Sequence, residues 1–412
     1  MQVVYERCAG LDVHKKTVVA CRITPTAEGG WRKDIRSFGT LTDELLSLSD
    51  WLRAGQVTQV AMESTGVYWK PLYNLLEAEF GVVLVNAQHI KFVPGRKSDV
   101  NDAQWIAELL QHGLLKASYI PPVEQRDLRE LMRYRTSLIQ ERTREVNRVQ
   151  KVLEDANLKL GSVATNVLGV SGRDMLEHLI AGQDDPAQLA QLARGRLREK
   201  IGELERALTG RIREVHRLLL KLHLEHIDDL NAKINALSEE IDRLLVPFDQ
   251  QRAIERLDAI PGVNATVAQV LIAELGLDMS RFPSAAHAAS WAGLAPGRHE
   301  SAGRSRSTRI REGNKHLKAA LVQAAHGAGK RKDNYLGAQY RRLASRRGKQ
   351  RAAIAVAHSI LVIAYFMLQR GTEYSELGAD YFDKRNEQQV QRRLVQRLER
   401  LGFKVTLEPA AA

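Results

Sequence analysis

Four acidic residues of this 412-residue chain have positions suited to metal-dependent chemistry. Asp12 lies at the end of an apolar, strand-like segment, and Glu63 ends a second apolar segment in the same way. Asp99 and Asp102 open a helix-like segment three residues apart, so they share one helical face. A carboxylate at the end of an apolar strand is energetically costly unless it is paired or binds a cation.

If the fold brings these four carboxylates together, they repel one another without a cation. Carboxylate oxygens suit Mg²⁺, and two such ions can stabilise the attacking and leaving oxygens at a phosphorus atom. The four acids therefore predict a site for two Mg²⁺ ions. Taken singly, each has an ordinary explanation, since Asp99 and Asp102 could serve a helix start and Asp12 and Glu63 could be turn or surface acids.

The elements that must position these acids follow from the apolar patterning of residues 1–118. Predicted strands cover residues 8–13, 17–24, 31–38, 57–62 and 82–85, and predicted helices cover 41–54, 68–80 and 99–112. Three sequential strands followed by alternating helices and strands indicate a mixed sheet covered by helices. If the first and fourth strands are neighbours, Asp12 lies beside Glu63, and the last helix brings Asp99 and Asp102 to the same point.

The pattern becomes helical after Pro121 and Pro122. A long helical stretch covers residues 123–160. From Ile201 to Leu244, apolar residues that include Leu219 and Leu222 then recur at steps of three or four, with one step of five. One helix of that length would be about 65 Å long with a coiled-coil-like seam. The seam fits self-association and an intrachain helical hairpin equally well, and His223 and His226 are predicted to lie on its solvated face.

These patterns predict an α/β domain followed by α-helical segments. The boundaries are an α/β catalytic domain at 1–120, a helical linker at 121–250, a mostly helical domain at 251–375, and a basic helix, short strand and tail at 376–412. Residues 257–275 are similar to a helix-hairpin-helix, whose backbone amides can bind a phosphate. The apolar stretch 352–368 is shorter than the roughly 20 residues that cross a bilayer, so it is predicted to be a core helix.

The charge is concentrated in one segment. Residues 298–351 hold 16 Lys/Arg and 3 Asp/Glu, a local net charge of +13, whereas the whole chain carries +12. Concentrated positive charge favours a nucleic-acid partner, because neutralising several phosphates releases their counterions. Two cysteines without a metal-binding spacing and an N-terminus without an apolar signal segment predict a reduced, cytoplasmic protein with no membrane association.

Three serines lie within this basic segment: Ser301, Ser305 and Ser307. A serine hydroxyl is a poor nucleophile until a base or a metal assists it, and nearby arginines can stabilise the charge that builds on a phosphate under attack. The candidate nucleic-acid contacts are Arg298, Arg304, Arg306, Arg309, Arg311 and Lys315. This chemistry does not choose among the serines, and the residues by themselves favour a flexible Ser/Arg loop that only contacts backbone phosphates.

Several stretches of the chain resemble one family of bacterial insertion-sequence transposases. They are residues 10–21, 61–69, 95–115, 126–150, 259–276, 291–325 and 376–385, and they fall in the family's order. Members have an N-terminal RuvC-like (RNase H-like) domain with a DEDD acidic set and a C-terminal domain with a catalytic serine. They are known as bridge-RNA-guided recombinases.

The resemblance implies a role for each matching residue. Asp12, Glu63, Asp99 and Asp102 take the DEDD positions and bind Mg²⁺, and Ser301 matches the serine that attacks DNA, although Ala302 stands where many members have glycine. The implied partners are double-stranded DNA of the element ends and target, a structured guide RNA, and further copies of the chain in a dimer or tetramer. The protein would act in the cytoplasm, at the nucleoid.

Two other functions fit the residues. One is a metal-dependent nuclease that cuts DNA junctions without a protein–DNA bond, for which Ser301 would be dispensable. The other is a non-catalytic protein that bridges DNA through its coiled-coil-like helix. A bridging protein has no need of four ordered acids, and a nuclease has no need of the serine.

Overall fold

The computed structural model describes residues 2–64, 66–86, 102–246, 250–297, 299–301, 304–307, 310 and 312–408. The side chains of 250, 299–301 and 304–307 are not included. The chain separates into two compact units, Met1–Pro121 and Pro122–Ala412. Each unit has its own hydrophobic core and is treated by itself.

The first unit is a mixed sheet with helices on both faces. Its elements are β1 (Cys8–Val13), β2 (Thr17–Pro25), β3 (Trp31–Gly39), α1 (Thr42–Ala54), β4 (Gln59–Glu63), α2 (Trp69–Leu76), β5 (Gly81–Val85) and α3 (Asp102–Gln111). The strand order is β3-β2-β1-β4-β5. Strand β1 is parallel to β4, β4 is parallel to β5, and β2 is antiparallel to both of its neighbours. The predicted mixed sheet is thereby confirmed.

Alternation along the strands separates two cores, because successive side chains of a strand point to opposite faces. Leu11 and Val13 of β1 pack on the face covered by α1 and α2. Cys8 of β1 packs on the other face with Ala61 of β4, against α3. The sheet is therefore buried on both sides in its centre, as near-continuous apolar strands require.

The second unit contains most of the helices. They are α4 (Val123–Asp155), α5 (Leu160–Val163), α6 (Val170–Ile180), α7 (Pro186–Gln191), α8 (Ile201–Leu208), α9 (Glu214–Leu245), α10 (Gln250–Asp258), α11 (Ala265–Leu275), α12 (Ala285–Trp291), α13 (Lys315–Lys330), α14 (Tyr335–Arg347), α15 (Lys349–Arg370), α16 (Tyr381–Arg385) and α17 (Glu387–Glu399). A short hairpin of β6 (His299–Ser301) and β7 (Arg304–Ser307) lies between α12 and α13.

Helices α4 and α9 form an antiparallel hairpin within the chain. Leu138 of α4 packs against Leu230 and Ile234 of α9, and Leu128 packs in a cluster with Leu245, nearer the free ends. The intrachain alternative for the apolar seam is therefore the arrangement that the structure contains.

The single helix predicted from Ile201 onwards is wrong, because the chain bends between α8 and α9. The bend packs on the end of α4, where the Arg211 amide donates to the Ala156 carbonyl at 2.8 Å. The Leu219 and Leu222 side chains, predicted in the seam, are exposed, since the bend rotates the register of α9.

His223 was expected on the solvated face of that seam, and this expectation is wrong as well. Its Nδ1 lies 2.9 Å from Oε2 of Glu145 on α4. The Glu145 side chain is buried and also accepts from Arg148. The histidine therefore lies against the partner helix and pairs with a carboxylate that the sequence pattern does not reveal.

Helix α15 is long and apolar enough to cross a membrane by length and composition. Its residues Val356, Ile360 and Leu361 are nevertheless buried in the core that α10 to α15 share. This agrees with the prediction of a core helix. The short strand expected after the last helix is wrong for the described residues 400–408, which follow α17 as turn and irregular chain.

Gly10 lets α3 lie directly on β1. A Cβ atom at Gly10 would lie 2.3 Å from the carbonyl oxygen of Ala103 and 2.3 Å from the amide nitrogen of Ala107. Both are backbone atoms of α3, so no side-chain rotation could relieve the contact. The glycine thus sets how closely the helix approaches the strand that ends with Asp12 and Val13.

We expect Gly10→Ala to destabilise the first unit by about 1–3 kcal/mol, the usual range for an added methyl in a tightly packed site. Hydrogen exchange of the α3 amides in the full chain measures the effect where it arises. The matched control is Gly202→Ala in α8, where a Cβ would meet nothing within 4 Å. That change should stabilise its helix by up to about 1 kcal/mol. Unchanged α3 protection in Gly10→Ala would contradict the close-approach argument.

Candidate active site

The register of the central strands brings Asp12 beside Glu63. Strands β1 and β4 are parallel neighbours, paired from Cys8 with Gln59 up to Leu11 with Met62. Asp12 and Glu63 are the next residues of the two strands. Because parallel strands end at the same edge of a sheet, the two acids lie side by side at the carboxyl edge.

Both acids belong to the face that α3 covers. Asp12 follows Gly10 by two residues, and Glu63 follows the buried Ala61 by two, so each shares the orientation of its α3-facing neighbour. Asp102 is the first residue of α3 and precedes Ala103, whose carbonyl approaches Gly10. The helix therefore brings Asp102 towards the strand that carries Asp12.

The electrostatics of Asp12 report this convergence. Burial raises the pKa of the Asp12 carboxyl, and the negative charges of Asp102 and Glu63 raise it further. The charge and hydrogen bonding of His14 act in the opposite direction, with Nε2 lying 3.1 Å from Oδ2 of Asp12. The pKa of Asp12 remains above its ordinary value, so Asp102 and Glu63 lie near enough to act on Asp12. Asp99 lies outside the described residues.

The residue types fit a divalent cation, although the described residues do not form a finished ligand set. Within residues 2–64, 66–86 and 102–246, and in the described part beyond, no three acidic, histidine or cysteine side chains are close enough to hold a metal. A partly buried Asp12 whose pKa is raised further by two neighbouring carboxylates is what a carboxylate site without its cation would have. The described region supplies three of the four expected acids.

The raised pKa predicts that Asp12→Asn raises the melting temperature at pH 7 in a metal-free buffer. A folded-state pKa above the unfolded value means that stability falls as pH rises from the unfolded pKa through the folded one. The neutral amide removes that loss, so the gain should disappear at a pH below the unfolded pKa of about 3.9. Thermal unfolding across pH measures it.

Asp34→Asn is the control for this experiment. Arg22 donates to the Asp34 carboxylate at 3.0 Å and, with Arg32, holds its pKa below the ordinary value. Asp34→Asn should therefore lower the melting temperature at pH 7, the opposite sign. If Asp12→Asn also lowers the melting temperature, burial and the neighbouring carboxylates do not destabilise the ionised Asp12 as argued.

The segment that carries the candidate serines forms a β-hairpin. Strands β6 and β7 are antiparallel, and Ser301, the last residue of β6, pairs with Arg304. A bridge between Pro296 and Ile310 extends the pairing beyond the two strands. A simple Ser/Arg loop is therefore the wrong description of the backbone. The hairpin places Ser301 beside the connection between its strands.

Three of the candidate nucleic-acid contacts lie in the described residues of this hairpin and of the helix that follows it. Arg304 and Arg306 belong to β7, and Lys315 is an exposed residue at the start of α13. Arg298, Arg309 and Arg311 lie outside the described residues. Arg304, Arg306 and Lys315 follow Ser301 closely along the chain, and contacts of all six residues with nucleic acid stay predictions.

The helix-hairpin-helix-like segment consists of α10, a turn and α11. Gly262 in the turn has φ +90°, and a Cβ there would lie 2.2 Å from the carbonyl of Ala324 in α13. The Asn264 side chain accepts from the Val267 amide and caps α11. The glycine thus packs the turn onto α13, and phosphate binding by this turn stays a prediction.

Glu274, a buried acid near the end of α11 that the sequence did not reveal as a site, bonds to the residue at which the chain enters α13 after the β-hairpin. Glu274 is 2% exposed, and both of its oxygens accept from Arg133 of α4 at 2.8 Å. Asn314 donates to Glu274 at 2.6 Å, and Arg129 lies 3.5 Å away. We call these four residues the Glu274 cluster. An acid inside the apolar run of α11 was its only signal in the sequence.

The cluster fixes the residue that begins α13. The Asn314 side-chain oxygen accepts from the backbone amides of His316 and Leu317. The backbone amide of Asn314 donates to the Trp291 carbonyl at 3.0 Å. Burial alone would raise the pKa of Glu274, but hydrogen bonds from Arg133 and Asn314 and the charges of the arginines hold it below its ordinary value. The segment that carries Ser301 is therefore followed by a helix start that is hydrogen-bonded to a buried, ionised carboxylate.

We expect Glu274→Ala to lower the free energy of unfolding of the second unit by about 3–5 kcal/mol, because it removes the buried carboxylate that accepts hydrogen bonds from Arg133 and Asn314. Chemical denaturation of the full chain, followed by hydrogen exchange of α11 and α13, measures the loss. Glu240→Ala, which removes an exposed partner of Arg243, should have no measurable effect. Equal effects of the two changes would contradict the importance of the cluster.

Two regions of the chain match models of known protein families. Residues 9–157 match the transposase family DEDD_Tnp_IS110, and residues 254–341 match the Transposase IS116/IS110/IS902 family. The first match contains the described acids Asp12, Glu63 and Asp102, together with Asp99. The second contains the β-hairpin with Ser301.

Relatives with assigned names agree with the two matches. The chain is 25% identical over 370 residues to the transposase for insertion sequence element IS1111A of Coxiella burnetii, covering 89% of this chain and 90% of that protein. It is 27% identical over 332 residues to a probable family 20 transposase of Pseudomonas aeruginosa, covering 79% and 88%. Two family matches in the correct order, with relatives spanning nearly the whole length, lead to one conclusion: the chain belongs to the IS110 family of transposases.

Proposed function

We propose that this transposase cuts and rejoins the DNA of its own mobile element through a serine–DNA covalent intermediate, with a metal held by its acidic set. The observation that carries the proposal is the convergence of Asp12, Glu63 and Asp102 at one edge of the sheet. The mixed sheet of the first unit is compatible with a RuvC-like domain, in which acids at this edge perform phosphoryl transfer.

The acids would hold the metal. Asp12, Glu63, Asp99 and Asp102 provide carboxylate oxygens, the donors that Mg²⁺ prefers, and four such groups suit two ions. Bound there, Mg²⁺ would stabilise the charge on the oxygens around phosphorus. His14 contacts Asp12 at 3.1 Å and is suited to orient that carboxylate.

Ser301 would supply the nucleophile. Its Oγ attacks the scissile phosphorus, a new Oγ–P bond forms, and the P–O bond to one deoxyribose oxygen breaks. The serine proton leaves to a base, and the departing oxygen takes up a proton to become a hydroxyl. Attack by a hydroxyl of a different DNA end reverses the step and releases Ser301, so the number of phosphodiester bonds is conserved and no energy source is required.

The arginines near Ser301 would bind the DNA backbone around the reacting phosphate. Arg304 and Arg306 lie on β7, opposite the strand that Ser301 ends, and Arg298, Arg309 and Arg311 lie close in sequence. A guanidinium can donate two parallel hydrogen bonds to a phosphate and stabilise its developing charge. The arginines thus would assist the attack without choosing a sequence.

The choice of DNA sequence would come from a structured RNA that pairs with donor and target. The family resemblance of the N-terminal and C-terminal motifs supports this part of the proposal. Base pairing can supply the selectivity that a basic protein surface lacks. The acids and Ser301 belong to different units, so composite sites shared between copies in a dimer or tetramer are also part of the proposal.

Adduct mapping tests the mechanism. The protein is expressed with the DNA that flanks its gene, Mg²⁺ is added, and covalent protein–DNA species are trapped and digested for mass spectrometry. We expect a nucleotide on Ser301. Ser301→Ala should abolish the adduct, whereas the matched changes Ser305→Ala and Ser307→Ala should retain it. An adduct on Ser305 or Ser307 would reassign the nucleophile.

The acidic residues are tested in the same assay. Asp12→Asn and Glu63→Gln should reduce adduct formation about a hundredfold or more, since a bound metal contributes several kcal/mol to such a transition state. Cleaved DNA without any adduct would favour the metal-dependent nuclease. Unchanged transposition in cells carrying Asp12→Asn would favour the DNA-bridging protein.

A further inference from the structure

The turn between α14 and α15 forms a concentrated basic surface away from the Ser301 hairpin in sequence. Arg346 and Arg347 end α14, and Lys349 and Arg351 lie in the first turn of α15. All four are exposed. We call these four residues the basic tip.

No acid of the two helices balances this charge. Residues 334–372 contain no Asp or Glu, so neither α14 nor α15 can supply a counter-charge. Of the described residues, none forms an ion pair with the basic tip. An ordinary solvated helix surface mixes both signs of charge, which makes this surface unusual.

The charges of the basic tip are placed unfavourably with respect to the helix dipole and to one another. Arg346 and Arg347 suit the C-terminal end of a helix, but Lys349 and Arg351 begin α15, where the helix dipole disfavours cations and no acid compensates. Arg342, one turn before Arg346, adds an unfavourable like-charge pair at i, i+4. A bound polyanion would remove this repulsion, so the tip is more stable with an anionic partner than alone.

The residues of the tip indicate what kind of polyanion binds. Residues 341–351 include no aromatic side chain, whereas proteins that bind single-stranded nucleic acid stack bases on aromatic rings. Side chains of Arg and Lys that reach phosphates without stacking are typical of contacts to a duplex backbone. The chain belongs to a family that acts on DNA, which makes duplex DNA the matching occupant.

We propose that the basic tip binds the backbone of duplex DNA outside the reacting phosphate. It would add affinity that is independent of sequence and hold the DNA that flanks the cleavage position. The tip belongs to helices packed in the core of the second unit through Val356 and Ile360, so the contact is made from a rigid support. The proposal depends on the family's action on DNA and does not depend on Ser301 as nucleophile.

Salt dependence of binding tests the proposal directly. The variant combines Arg346→Gln, Arg347→Gln and Lys349→Gln in the full chain. The control combines Arg144→Gln, Lys151→Gln and Arg196→Gln, three exposed cations elsewhere in the second unit. Both lose three charges, so only the position of the loss differs.

Fluorescence anisotropy with an unrelated duplex DNA, in EDTA to exclude cleavage, gives the dissociation constant between 50 and 200 mM salt, the range over which phosphate contacts dominate. Each lost phosphate contact reduces the slope of log affinity against log salt by about 0.9. The tip variant should reduce the slope by about 2–3, and the control by less than about 1. Thermal unfolding confirms that both variants fold.

Two results would overturn the proposal. Equal slopes for the tip variant and the control would show that only net charge matters. A reduced slope for an RNA duplex with an unchanged slope for DNA would assign the tip to RNA. Because no cleavage is measured, a negative adduct experiment on Ser301 leaves this outcome unaffected, and the two proposals can fail separately.

Discussion

The contact between the backbone of α3 and Gly10 of β1 is the constraint on which the acidic site depends. Without a side chain at Gly10, the helix approaches the strand closely enough that Asp102, at its start, affects the pKa of Asp12. The parallel pairing of β1 and β4 then adds Glu63 at the same edge. One close approach and one strand register therefore assemble acids that are about 90 residues apart in sequence.

The second unit depends on a different kind of interaction, a buried charge with fixed partners. Glu274 joins α11 to α4 through Arg133 and to the start of α13 through Asn314. Replacing such a cluster with apolar residues often does not reduce stability, so we infer that the cluster serves to fix geometry. The geometry that the cluster fixes is the position of the start of α13, which follows the β-hairpin, relative to α4 and α11.

The acidic site around Asp12 and the basic tip share one electrostatic feature. Asp12 has a raised pKa because it is partly buried and because the charges of Asp102 and Glu63 add to that effect, and the basic tip gathers cations at a helix start that disfavours them. Each arrangement costs stability in the isolated chain. Each also matches the opposite charge of a component of DNA cleavage, a divalent cation for the acids and a phosphate backbone for the tip.

The sequence by itself determined the five strands of the first unit, the strand-end positions of Asp12 and Glu63, and the apolar period of the long helices, because alternation and helical spacing are local properties. The two acids lie side by side only because the fold makes β1 and β4 neighbours. The sequence did not determine the bend between α8 and α9. An apolar stripe can pack against any apolar surface, and only the packing of this segment on α4 decides where the chain bends. The Glu274 cluster was equally invisible, because its members come from three distant segments. Burial and ion pairing belong to the assembled fold, so only the tertiary structure decided them.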